Sequence, residues 1–87
     1  VPNENLLKRV LYRATYRGGK EADFILKNFA QIHAPTLSKE DLQILDNLLQ
    51  QDDSDIFSWV EYTQAIPPAF DTKILKLLRN YIKSLIS

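Results

Sequence analysis

His33 is the only histidine among the 87 residues, and the chain has no cysteine. General acid–base catalysis needs a group titrating near neutral pH beside a reacting atom. His33 instead stands at the end of a predicted helix just before Pro35, and no serine lies beside a plausible base. It reads as a surface or capping residue, and the chain as a non-enzyme. Asp52, Asp53 and Asp55 invite a calcium reading that fails on position. A twelve-residue loop begun at Asp52 puts Phe57 where glycine is needed and Thr63 where the bidentate glutamate belongs. Begun at Asp53, it puts Ser58 and Gln64 there. These acids fit better as helix-end caps that complement a helix dipole. Gly18-Gly19 lacks the spacing of either common phosphate-binding loop.

The most specific local feature is Arg17-Gly18-Gly19-Lys20-Glu21. Two glycines between helices make a tight corner and leave its backbone uncovered, so another protein can approach closely there. The plainer alternative is an ordinary helix corner with an incidental Arg17–Glu21 ion pair, worth under ~1 kcal/mol when exposed. Phe57, Trp59 and Tyr62 crowd aromatics into one short segment. Two of them are expected to fill the core, and one to serve as a partner-facing anchor of the kind Trp and Tyr supply.

Helices must position these residues, because the apolar period is helical nearly throughout. Leu6, Leu7, Val10, Leu11 and Ala14 form one stripe of a first helix, capped by Asn3 or Asn5. The glycine pair stops it after a basic last turn. A second helix follows over about Lys20 to Gln31, with Ala22, Ile25, Leu26 and Phe29 inward. Ser38-Lys39-Glu40-Asp41 opens a third, which buries Leu42, Leu45, Leu48 and Leu49. Asp52 to Asp55 end it and cap a short fourth helix from Ile56 to about Thr63. After Pro67-Pro68, Asp71 caps a fifth, with Ile74, Leu78, Tyr81, Ile82 and Leu85 inward. The expected fold is an all-α five-helix bundle in one domain.

Apolar residues make up 45% of the chain, and no run is long enough to span a membrane. Net charge is zero but segregated. Residues 1–20 carry five bases against one acid, residues 21–61 nine acids against two bases, and residues 62–87 four bases against one acid. Such a pattern steers a protein partner. The acidic middle argues against a nucleic-acid binder, and the four bases of the first helix interleave with its core positions.

Two blocks carry a resemblance. Arg17-Gly18-x-x-Glu21-x-Asp23, preceded by a helix with Tyr12 and Arg13, resembles the Arg-Gly-x-x-Glu signature of the succinate dehydrogenase assembly factors. These are bacterial SdhE and the mitochondrial succinate dehydrogenase assembly factor 2. Leu48-Leu49, followed by Asp52-Asp53-x-Asp55-Ile56-Phe57-x-Trp59, resembles that family's second motif. The likeness covers roughly residues 5–82. The chain departs from the pattern at Tyr16, where many relatives have Arg. It departs again at Gly19, where they have a bulky apolar residue, and at Ala22, where they have Leu. These departures imply a looser turn and one positive contact fewer.

The resemblance implies a five-helix bundle that binds the flavoprotein subunit of succinate dehydrogenase, and in bacteria also that of fumarate reductase. It promotes covalent attachment of FAD to that subunit and keeps no stably bound cofactor or metal. Arg17, Gly18 and Glu21 would form the contact surface, with Arg13, Asp53, Asp55 and Trp59 also assigned to partner binding. Their side chains would face outward, so that Arg17→Ala and Glu21→Ala spare the isolated fold. The factor would be a monomer, without nucleic acid or membrane insertion. It would be cytoplasmic in a bacterium, or in the mitochondrial matrix for a trimmed eukaryotic form. An antitoxin-like protein-binding regulator is the alternative within the same family.

Overall fold

Five α-helices occupy most of residues 4–86, the span that the computed structural model of the chain describes. They are α1 (Glu4–Thr15), α2 (Lys20–His33), α3 (Lys39–Leu49), α4 (Asp53–Val60) and α5 (Lys73–Ile86). One-turn 3-10 segments stand at Ala34–Thr36 and Pro68–Phe70, and no strand occurs among the described residues. The all-α bundle expected from the apolar period is the observed fold.

Each helix gives one stripe to a shared core. Val10 and Ala14 come from α1, and Leu26, Phe29 and Ala30 from α2. Leu42, Leu45, Leu48 and Leu49 follow from α3, Ile56, Trp59 and Val60 from α4, and Ile74, Leu75 and Leu78 from α5. Each fully buried large side chain contributes roughly 1.5–3 kcal/mol. With no disulfide, that burial is the main force holding the bundle. The small side chain of Ala14, fully buried, suits the close approach of α1 to α2 and α3. The last helix, α5, packs against α2, α3 and α4.

Helix ends depart from expectation in instructive ways. Asn5 lies inside α1 and is no cap; Asn3 lies outside the described residues. The second helix runs two residues past Gln31, because Pro35 enters a 3-10 turn where its missing N–H costs nothing. His33 is therefore not a frayed surface residue. Its half-buried ring packs 4.8 Å from Phe29 and 6.0 Å from Tyr81, in the seam between α2 and α5. Ser38 does cap α3: its Oγ accepts the Asp41 N–H at 3.2 Å. At the start of α5, Thr72 rather than Asp71 supplies the side-chain acceptor, taking the Leu75 N–H at 3.3 Å. Leu85, expected inward, is 47% exposed, because the groove it lines against α2 is open.

The fourth helix begins at Asp53, three residues before the expected Ile56, and ends at Val60. Acids in a first turn are favoured by the helix dipole, so Asp53 and Asp55 lie within the helix and not ahead of it. Its other end is closed by a distant residue. Arg79, only 6% exposed, donates to the carbonyls of Val60 and Trp59, each at 3.1 Å. Its guanidinium also lies 4.0 Å from the centre of the Tyr62 ring. Tyr62 has φ +61°, a left-handed conformation uncommon for a bulky residue, and this terminates the helix.

Candidate functional site

The corner between α1 and α2 is built around Arg17. Its side chain is only 8% exposed. The Nε–H donates to Asp53 Oδ1 at 2.7 Å, and Nη2 donates to the Gln51 carbonyl at 2.7 Å. The remaining donor nitrogen, Nη1, reaches the carbonyls of Arg13, at 3.2 Å, and Leu49. Four of the five guanidinium N–H groups are thus engaged. The main-chain N–H of Arg17 donates to Asp23 Oδ1 at 2.7 Å. The carbonyls belong to the C-terminal ends of α1 and α3, which attract a cation. The two carboxylates belong to the opening turns of α2 and α4. Arg17 is where four helix ends meet.

This corrects the sequence reading in two respects. Arg17 does not face outward, and its ion pair is with Asp53, not Glu21. Glu21 is exposed on the first turn of α2 and has no ion pair among the described residues. The buried guanidinium and the exposed carboxylate of one short motif have separate surroundings.

Gly18 follows Arg17 on the exposed side at φ +92°, a conformation that strains any residue with a Cβ. A Cβ added there would meet no atom within 4 Å. Glycine at this point serves the backbone turn and leaves open space outside it. Gly19, by contrast, has an extended conformation of φ −129° and ψ 138°, which any residue adopts. The fold does not demand glycine at position 19, and the unusual residue there does not alter the turn.

Arg13 lies one turn before Arg17, with its side chain 38% exposed. Its Nε stands 3.0 Å from Asp46 Oδ1, but the N–H is not aligned on the oxygen, so the attraction is that of charges and not of a hydrogen bond. Arg9 holds the other oxygen of Asp46 at 3.1 Å. Asp46 is 1% exposed and ties α3 to α1 through both arginines. Asp55 is half-buried in the first turn of α4. Trp59 is 5% exposed and stacks on Phe70 with centroids 4.9 Å apart and planes 14° apart. It is a core residue, not an outward anchor. Of the three aromatics crowded there, Tyr62 is the exposed one, at 67%.

The structure therefore joins the Arg17 and Asp53 side chains in one polar network beneath the corner, with Arg13 adding only its main-chain carbonyl while its side chain faces Asp46. Gly18 and Glu21 lie above it, and Trp59 falls in the core. Sequence reasoning missed Asp46 and Arg79, although both occupy in-register positions of buried stripes, 42/45/46/49 and 75/78/79/82. A charged residue in such a register is itself the signal of a buried polar clamp. It also missed the exposed aromatics around the corner. Tyr16 is 71% exposed and packs on Tyr12, with ring centroids 4.8 Å apart. Phe24, 64% exposed, stands between two open grooves. One of these runs past Tyr16 and Lys27, the other past Glu21, Ile82 and Leu85. Among the described residues, no three His, Asp or Glu side chains gather as a metal site. The arrangement suits docking, with an open backbone corner, an unpaired carboxylate and exposed aromatic rings.

The family model described as "Flavinator of succinate dehydrogenase" matches residues 8–82. The mitochondrial succinate dehydrogenase assembly factor 2 of Dictyostelium discoideum is 37% identical over 81 residues, covering 93% of this chain and 57% of that protein. Factor 2-B of Drosophila melanogaster, also mitochondrial, is 35% identical over 85 residues, covering 95% and 54% respectively. The chain thus spans about half the length of the curated relatives it matches. No solved structure matches it.

Proposed function

The chain belongs to the succinate dehydrogenase flavinator family, and from that premise we propose that it is a non-enzymatic assembly factor for the flavoprotein subunit of that enzyme. It binds this subunit, or the related one of fumarate reductase, and promotes covalent attachment of FAD. The flavin goes onto the partner, and this chain holds none stably. The relatives' names support the mitochondrial alternative over the bacterial, cytoplasmic one. No described helix is long and apolar enough to cross a membrane.

One observation carries the reading: on the exposed corner from Gly18 to Glu21, no side chain makes a hydrogen bond or ion pair among the described residues. Gly18 opens onto empty space, Glu21 is unpaired among the described residues, and Tyr16 and Phe24 expose their rings on either side. Aromatic rings beside a desolvatable charge are the usual anchors of an interface.

Glu21→Ala lowers Tm by a few degrees at most, because the exposed carboxylate makes no ion pair among the described residues and gives α2 only the first-turn dipole attraction, about 0.3–1 kcal/mol. Loss of a charge desolvated on binding costs about 2–5 kcal/mol of affinity. Gly18→Asn accepts the left-handed backbone better than Gly18→Ala, whose strain is about 1 kcal/mol, yet it adds bulk on the open side. Both Glu21→Ala and Gly18→Asn should fold and both should fail to support flavinylation. The check is in-gel fluorescence of covalent flavin on the apo-flavoprotein, incubated with FAD and each variant. Equal rescue by wild type and both variants would falsify the surface assignment.

A further inference from the structure

We propose that Asp23 and Asp53 are positioning residues that act through Arg17, fixing the Gly18–Glu21 corner in its docking shape without touching the partner. The proposal rests on the functional reading above and deepens it. The corner is built of two glycines with no side chains to pack, and a Cβ at either would meet nothing within 4 Å. Composition alone makes such a segment conformationally free. Between the end of α1 and the start of α2, two main-chain N–H groups tie it. Tyr16 N–H reaches back to the Tyr12 carbonyl at 3.2 Å, and Arg17 N–H reaches forward to Asp23 Oδ1 at 2.7 Å. The second tie closes the loop across the glycines.

Asp23 is placed for this and not for contact. It lies two residues after Glu21 on α2, about 200° around the helix axis. Glu21 is exposed, whereas Asp23 is half-buried and turned back to the corner. Its own N–H donates to the Gly19 carbonyl at 2.8 Å, so one residue holds the corner at two points. Asp53 does the same work from the other side. It grips the Arg17 Nε, while the α3 end binds the rest of the guanidinium. With Arg17 fixed by both its main chain and its side chain, Gly18 has one arrangement to offer, and a preorganised surface binds more tightly than a mobile one.

The test compares Asp23→Ala with Asp23→Asn, and Asp53→Ala with Asp53→Asn. Asparagine keeps a side-chain oxygen that accepts from the Arg17 N–H or Nε–H but removes the charge. Binding to the apo-flavoprotein subunit of succinate dehydrogenase is measured well below Tm, along with hydrogen exchange of the Arg17 amide, the corner N–H that Asp23 holds. The alanine variants should lose protection at the corner while the amides of α3 and α5 keep theirs, and should bind about tenfold or more weakly. The asparagine variants should stay within about threefold of wild type. Should an alanine variant fold poorly, its asparagine counterpart decides alone, because a contacting carboxylate predicts lost binding and a positioning acceptor predicts retained binding. Asparagine variants as weak as the alanine ones overturn the proposal, as do alanine variants that bind like wild type. Failure of the wild-type chain itself to bind overturns the functional reading, and this inference with it.

Discussion

Arg17→Ala is expected to lower Tm by roughly 8–32 °C and, on the proposed function, to abolish flavinylation at temperatures where the wild type works. The substitution removes four guanidinium hydrogen bonds at once. Bonds involving a charged group contribute about 1.5–3 kcal/mol each, but those at one site are not additive. Water can replace part of the loss, because Asp53 is 27% exposed. A net cost of about 2–4 kcal/mol remains, and in a domain of this size each kcal/mol moves Tm by about 4–8 °C. Arg17→Lys should fall between the two, since an ammonium lacks the planar fork that reaches Asp53 and the α3 carbonyls together. Thermal melts followed by circular dichroism decide it. A change of under about 2 °C for Arg17→Ala would show that the buried arginine is idle. Set beside Glu21→Ala, with Tm moved by a few degrees at most and binding lost, the pair separates the two ends of one motif into support and contact.

Trp59→Ala should be the most destabilising single change in α4, at about 3–5 kcal/mol. The indole is buried against the core and stacked on Phe70, so its removal leaves a cavity and also frees the 3-10 turn at Pro68–Phe70. That is a large share of the 5–15 kcal/mol that holds most domains folded. Chemical denaturation should show the midpoint falling sharply with an unchanged slope. Trp59→Phe retains a ring to stack on Phe70 and should recover most of the stability along with partner binding. If Trp59→Phe instead folds like wild type but fails to bind the flavoprotein, the indole has a contact role that its burial argues against.

The stripes were legible because burial follows helical period so directly: Leu42, Leu45, Leu48 and Leu49 are all buried where spacing put them. Gly18 was legible too, since glycine after a basic turn signals a left-handed residue, and φ is +92°. What escaped was long-range. Arg17 and Asp53 are 36 positions apart, and no local pattern says that one meets the other. An arginine beside glycines on a short corner looks exposed until the ends of α3 and α4 are brought beneath it. Trp59 was misassigned for the same reason: periodicity places a ring on a helix face, but only packing reveals that Phe70 covers it. The left-handed backbone of Tyr62 gave no sequence signal, because it is imposed by the closing of α4 and not favoured by the residue's own type.

The position of Arg17 at four helix ends also has a consequence for the order of folding. Its bonds to Leu49, Gln51 and Asp53 span 32 to 36 residues of chain. Contacts that close long loops come late, after the local helices have formed and collapsed. The corner between α1 and α2 therefore acquires its shape only when α3 and α4 are already docked, so a half-folded chain displays no competent surface. On the proposed function, a flavoprotein would engage finished copies and pass over the rest. Truncating Arg17 should then leave the folding rate nearly untouched and accelerate unfolding, the kinetic mark of a bond made after the barrier.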